Sequence, residues 1–230
     1  MGPGRRQLLL LGFALALAAL AVASSGALEA RCGRGRAGPE LMYFPSGVML
    51  RPMAVGHPLT LADLLWLRAI QYYGEHRLSD NRFPHAGHIF ETITALDPNF
   101  TEAYIFGGLV LAAEGGDLGR GLALLRQGIA ANPGRWDLAF ETGFVYYLAA
   151  RDDAQAARFF ELAHRLPGAP EYVTRFAAHA RARTGDTEAA LALWEELVRS
   201  TTHPAVRQLA ERKVAAIRAA LAARGSGAGR

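Results

Sequence analysis

Along residues 61–203 apolar positions recur with a helical period, in blocks a few turns long that come in pairs separated by short polar breaks. The first block, Leu61–Tyr73, reads Leu-Ala-Asp-Leu-Leu-Trp-Leu-Arg-Ala-Ile-Gln-Tyr-Tyr and is apolar on nearly all sides. It predicts a helix that needs cover all round. In later blocks Ala156 with Phe160, and Ala190 with Trp194, lie one turn apart and so share a face. A small residue late in the first helix of each pair, Gly74, Gly108, Gly143 or Ala178, predicts a close approach of the second helix. Gly115-Gly116-Asp117 and Gly185-Asp186 supply turns within pairs. Pro98, Pro133, Pro167 and Pro204 stand at the ends of pairs, at intervals 133 − 98 = 35, 167 − 133 = 34 and 204 − 167 = 37. Each ends a helix, because proline lacks an N–H and its ring clashes with the preceding turn. A last amphipathic helix, about Ala205–Ala223, carries Val206, Leu209, Val214, Ile217 and Leu221 on one stripe, as a cover for the end of an array.

A period in this range marks helical hairpins, each too small to bury its own apolar face. In its period, its small residue late in the first helix, its alanine followed four residues on by an aromatic, and the Asn132-Pro133 and Asp97-Pro98 breaks, the chain resembles the tetratricopeptide repeat family over residues 61–203. The middle two units match best. The first lacks glycine in its turn Leu78–Phe83, and the fourth has Ala178 for the usual glycine. The resemblance implies an all-α, right-handed superhelical solenoid of about four hairpins with a C-terminal capping helix at 204–223.

The N-terminus is of another kind. Arg5 and Arg6 precede an apolar run, Leu8–Ala23, and then Ser24-Ser25-Gly26, the layout of an export signal over 1–23 with cleavage after Ala23. Extended to Leu28 the run reaches about 21 residues, enough to span a bilayer, so an uncleaved anchor is the alternative. Arg31, Arg34 and Arg36 beyond it oppose the orientation that Arg5 and Arg6 favour, which argues for cleavage. Residues 24–40 read as a flexible linker and hold Cys32, the lone cysteine, so the chain can form no internal disulfide. Residues 41–60 are apolar but interrupted by Pro45, Pro52 and Pro58; these predict an extended segment packed on the first helix, or, alternatively, a strip that meets a partner or a membrane surface. Residues 224–230 are expected to be a disordered tail.

The net charge of +4 arises mostly from arginines gathered in the N-terminal segments and the last helix. No stacking aromatics accompany them, so nucleic acid is not the expected partner; an anionic membrane surface suits them better. His85 and His88 have a spacing that metal sites use, yet no third ligand accompanies them, and no metal or cofactor is expected. Gly115-Gly116-Asp117-Leu118-Gly119 follows no strand and reads as a turn rather than a phosphate loop. No nucleophile motif is present, and the chain is not expected to be an enzyme.

In the family it resembles, first helices of successive pairs line a concave groove that holds a protein or peptide partner. Carried over position by position, the groove residues are Arg68, Gln71 and Glu75; Glu102, Ile105 and Leu109; Asp137, Phe140, Phe144 and Tyr147; and Tyr172, Arg175 and His179. Phe140 and Phe144 have the competing reading of inter-repeat core. Chaperone-binding members clamp a terminal carboxylate with cationic side chains, whereas Asp137 and Glu141 here would repel one. The leading expectation is an exported adaptor of the bacterial cell envelope, periplasmic or anchored to the inner membrane. The alternatives are an accessory subunit docked into a membrane complex through Leu41–Tyr73, and an exported metal or redox protein built on His85 and His88.

Overall fold

The computed structural model of the chain describes residues 46–227, and side chains through 223. The expected export segment, the linker with Cys32, and the last residues of the tail lie outside the described residues. Ten α-helices follow one another: α1 Gly47–Met53, α2 Pro58–Arg77, α3 Ala86–Leu96, α4 Thr101–Leu109, α5 Leu118–Ala131, α6 Trp136–Val145, α7 Asp153–Arg165, α8 Glu171–Arg183, α9 Thr187–Ser200 and α10 Pro204–Gly227. Among the described residues there is no strand, and no helix is long and apolar enough to cross a membrane. The helices pair as α2–α3, α4–α5, α6–α7 and α8–α9, and α10 closes the end.

Within each pair the packing follows from side-chain size. A Cβ placed on Gly143 would lie 2.8 Å from Phe160, and one on Gly108 2.5 Å from Leu125, so the second helix sits where only hydrogen leaves room. Ala178 is buried at the same place against Trp194. The first pair departs from expectation. A Cβ on Gly74 would meet nothing within 4 Å, and the small, fully buried residues of α2 are Ala62 and Ala69, on a stripe with Leu65 and Tyr72. The reason is the longer turn. Eight residues, 78–85, join α2 to α3 where three, 184–186, join α8 to α9, so the spacing of the later pairs counted back from α3 places the contact too late by more than a turn.

The turns inside the later pairs share one device. Asp117, Asp152 and Asp186 each cap the second helix by accepting from the backbone N–H three residues on, at 3.0, 2.9 and 3.1 Å. Such a cap contributes about 1 kcal/mol. The residue before each aspartate is left-handed: Gly116 at φ 69, Arg151 at φ 55 and Gly185 at φ 81. Two pairs also contain one residue more between close-approach positions, 121 − 108 = 13 and 156 − 143 = 13 against 190 − 178 = 12. That residue is absorbed as a π-helical turn at Val110–Glu114 and at Tyr146–Ala150, so both registers survive. Successive units are tied by Asn132, which donates to the Pro98 carbonyl at 2.9 Å, and by Arg120, which grips both oxygens of Glu91 at 2.7 and 2.8 Å.

Residues 46–60, the described part of the segment 41–60, also differ from the extended conformation expected. Gly47–Met53 is a helix with Pro52 inside it. Pro52 lies in the last turn of a seven-residue helix, so it removes at most the bond to the Val48 carbonyl. Its packing partner is α3 rather than the first repeat helix: a Cβ on Gly47 would lie 2.6 Å from Ala95. At the other end α10 runs on to Gly227, past the expected limit at 223, since no proline stops it.

Candidate binding groove

First helices α4, α6 and α8 carry the expected groove residues onward from α2. Three of those residues converge. Tyr147 in the π-helical turn that follows α6 and Arg175 and His179 on α8 line an open pocket of about 380 Å³ with Phe176 and with Leu209 of α10. The Arg183 guanidinium lies 5.0 Å over the Tyr147 ring and donates to Asp153 at 2.9 Å, which holds one wall in place. His179 packs edge-on against Trp194 at 5.1 Å. Burial, then Lys213 and Arg175 close by, push its pKa below the ordinary histidine value. The pocket is thus apolar on its walls and cationic at its rim.

Next to it, α6 presents aromatics that belong to the interior. Phe140 is buried and its ring meets Phe144 at 6.1 Å, Phe160 at 5.3 Å, Tyr172 at 5.3 Å and Phe176 at 5.2 Å. It is a core residue joining α6, α7 and α8, so its burial favours the inter-repeat core reading over the groove-lining one. Phe144 is half-buried, stacked on Phe140 and edge-on to Phe176 at 6.1 Å, and Tyr172 fills the space beside Trp136 at 6.0 Å. Leu109 packs on the same core, and Ile105 is half-buried.

The charged positions divide. Asp137 accepts two bonds from Arg135, at 3.1 and 2.6 Å, and these together with its bond to the Leu138 N–H hold its pKa down in spite of burial. Arg135 also reaches Glu102 at 4.0 Å. Glu141, one turn on from Asp137, is raised above the usual carboxylate value by burial and by the Asp137 charge. On α2, Arg68 bonds Gln71 at 3.4 Å and Glu75 at 3.3 Å, so these three satisfy one another along a single face. The residues of α2 that turn toward the next unit are instead Trp66 and Tyr73, whose rings meet Phe106 of α4 at 5.8 and 5.0 Å. Arg68, Gln71 and Glu75 inherit the register shift of Gly74, and the structure does not bring them to the pocket.

Phe176 and Leu209 were not foreseen as pocket residues. Phe176 follows Arg175 directly, and Leu209 was visible only as part of the capping stripe. A second depression, about 390 Å³, runs along the α9–α10 seam beside Glu195 and Arg218, which pair with each other at 2.7 Å. That pair shares the lining with Arg199 and Glu211. Among the described residues no three metal-ligating side chains come together. His85, expected beside His88 as a metal candidate, donates its backbone N–H to the Tyr72 hydroxyl at 3.1 Å.

No family model and no curated protein matches the chain. Among solved structures it is similar to the crystal structure of a thermophilic TPR protein from Thermus thermophilus, at 21% identity over 73% of this chain and 95% of that one, with a TM-score of 0.44. The hairpin order, the close approaches at Gly108, Gly143 and Ala178, and the closing helix make this a tetratricopeptide-like helical repeat fold.

Proposed function

We propose that the protein is a non-enzymatic adaptor that holds a segment of a protein partner in the pocket between α6, α8 and α10. The convergence of Tyr147, Arg175, Phe176, His179 and Leu209 from three helices carries this reading. Apolar walls beneath Arg175, with Lys213 and His179 close by, suit a segment that offers an apolar side chain next to a carboxylate. The basic, apolar and small-residue order of residues 5–26 supports an exported protein working in the bacterial cell envelope.

The test is release of the partner that co-purifies with the tagged chain. Tyr147→Ala should weaken it by on the order of 2 kcal/mol, about thirty-fold. Arg175→Ala should act less and lose its effect as salt rises. Unchanged retention in both variants, with helicity intact, would remove the pocket from consideration.

A second reading is supported by exposed Leu64, Leu67 and Ile70 on α2, which leave that helix uncovered on one side. It makes the protein a permanent subunit of a membrane-associated complex, docked through residues 41–73. Retention lost in Leu64→Ser with Leu67→Ser, and kept in Tyr147→Ala, would select it.

A further inference from the structure

Between Ser46 and Leu59 five large aliphatic side chains stand in solvent: Val48 is 79% exposed, Met49 65%, Met53 67%, Val55 83% and Leu59 57%. Helix α1 turns Gly47 and Leu50 inward onto α3, so Val48, Met49 and Met53 fall on its free side. The turn from α1 into α2 holds Val55 at φ 48. A β-branched residue is among the poorest choices for that left-handed backbone, which asparagine or glycine adopts readily. The turn between α2 and α3 shows the ordinary solution, with Asn81 at φ 56. A strained valine at an exposed tip is disfavoured both by its backbone and by water.

Within residues 46–62 the charge has one sign, and Asp63 follows one turn beyond Leu59 on α2. From Ser46 to Ala62 the ionisable side chains are Arg51 and His57, and the first carboxylate is Asp63. Exposed aliphatics flanked by a cation, with no acid among them, match an anionic bilayer surface. The side chains would enter the boundary between headgroups and acyl chains, and Arg51 would meet phosphate. The apolar run ending at Leu28 lies 48 − 28 = 20 residues before Val48. In the alternative in which that run is kept as an anchor, twenty residues reach at most roughly 70 Å, which leaves the knuckle free to touch the same bilayer.

We infer that the α1–α2 knuckle, with Val48, Met49, Met53, Val55 and Arg51, docks on the surface of an anionic lipid bilayer. This contact is separate from the pocket at α6, α8 and α10. The full chain with Cys32→Ser carries a single new cysteine at Val55 or, as a control, at exposed Ala130, labelled with an environment-sensitive fluorophore. It is mixed with phosphatidylcholine vesicles, with or without phosphatidylglycerol, that contain acyl-chain spin-labelled lipid. The expected result is a blue shift and severalfold stronger quenching at position 55 than at 130, increased by phosphatidylglycerol. A blue shift without lipid quenching would mean that a protein, or a second copy of this chain, covers the knuckle, and overturns the proposal. A label as wet at 55 as at 130 overturns it too. With the label moved to position 48, Val55→Asn should keep or raise the Tm while quenching falls severalfold, and Met53→Glu should lower quenching likewise. Quenching at 48 unchanged in both variants contradicts the proposal.

Discussion

At the C-terminal end α10 lays Ala210, with Val206, Val214 and Ile217, over Trp194 and Leu197, and among the described residues nothing large and apolar is left in solvent there. At the N-terminal end α1 packs on α3 rather than α2, and Leu59, Leu64, Leu67 and Ile70 of α2 remain exposed. Both ends are made from the same kind of hairpin, so the repeat itself does not decide how an end meets water; the helix added to it does. The C-terminal helix also lends Leu209 to the pocket and sets Lys213 near His179. That end combines closure with a site of mixed chemistry. The other end offers mainly aliphatic surface, fit for a contact with an apolar phase or partner.

The comparison breaks most plainly on removal of its covers. Ending the chain after Thr202 should expose Trp194 and Leu197 and cost about 3 kcal/mol or more in urea unfolding, from the burial of two large side chains. Leu64→Ser with Leu67→Ser at the open end should stay within about 0.5 kcal/mol of wild type. Equal losses at the two ends would show that the N-terminal face is covered in solution.

Register gives the next effect. Gly143→Leu should overpack α6 on Phe160 and lose about 1–3 kcal/mol. Gly74→Leu and Gly134→Leu should be close to neutral, because a Cβ at either meets nothing within 4 Å. A Tm for Gly143→Leu equal to wild type would contradict the close approach.

The smallest effect concerns pH. Glu141 favours its protonated form in the fold, so as pH rises the unfolded chain releases its proton first, and stability falls through the carboxylate range. Below the unfolded carboxylate value both states are protonated and the penalty vanishes. Glu141→Gln should therefore match wild type at acid pH and exceed its Tm at pH 7. A constant gap across pH would assign the difference to packing.

Much of the architecture is legible because it is local and repeated. Proline boundaries, the Ala156–Phe160 and Ala190–Trp194 spacings, and aspartates after turn glycines all act within a few residues of themselves. Asp152 was harder to see, since Arg151 stands where glycine would announce the turn. What escaped depends on distant chain. The eight-residue turn between α2 and α3 shifted Gly74, Arg68, Gln71 and Glu75 out of register. The helix at Gly47–Met53 forms because Gly47 and Leu50 find a place on α3, which outweighs a proline in its last turn. Phe140 and Phe144 lie one turn apart on a single helix, and only the arrival of Phe176 from α8 decides which is interior.

The central claim is that the pocket at the closed end is the working surface. A photo-crosslinking amino acid placed in turn at Leu209, Tyr147, exposed Leu67 on α2 and exposed Arg158 on α7 tests it directly in native membranes. The account predicts one protein partner captured from 209 and 147 and none from 158. Capture of a protein from 67, with none from 209 or 147, would contradict it.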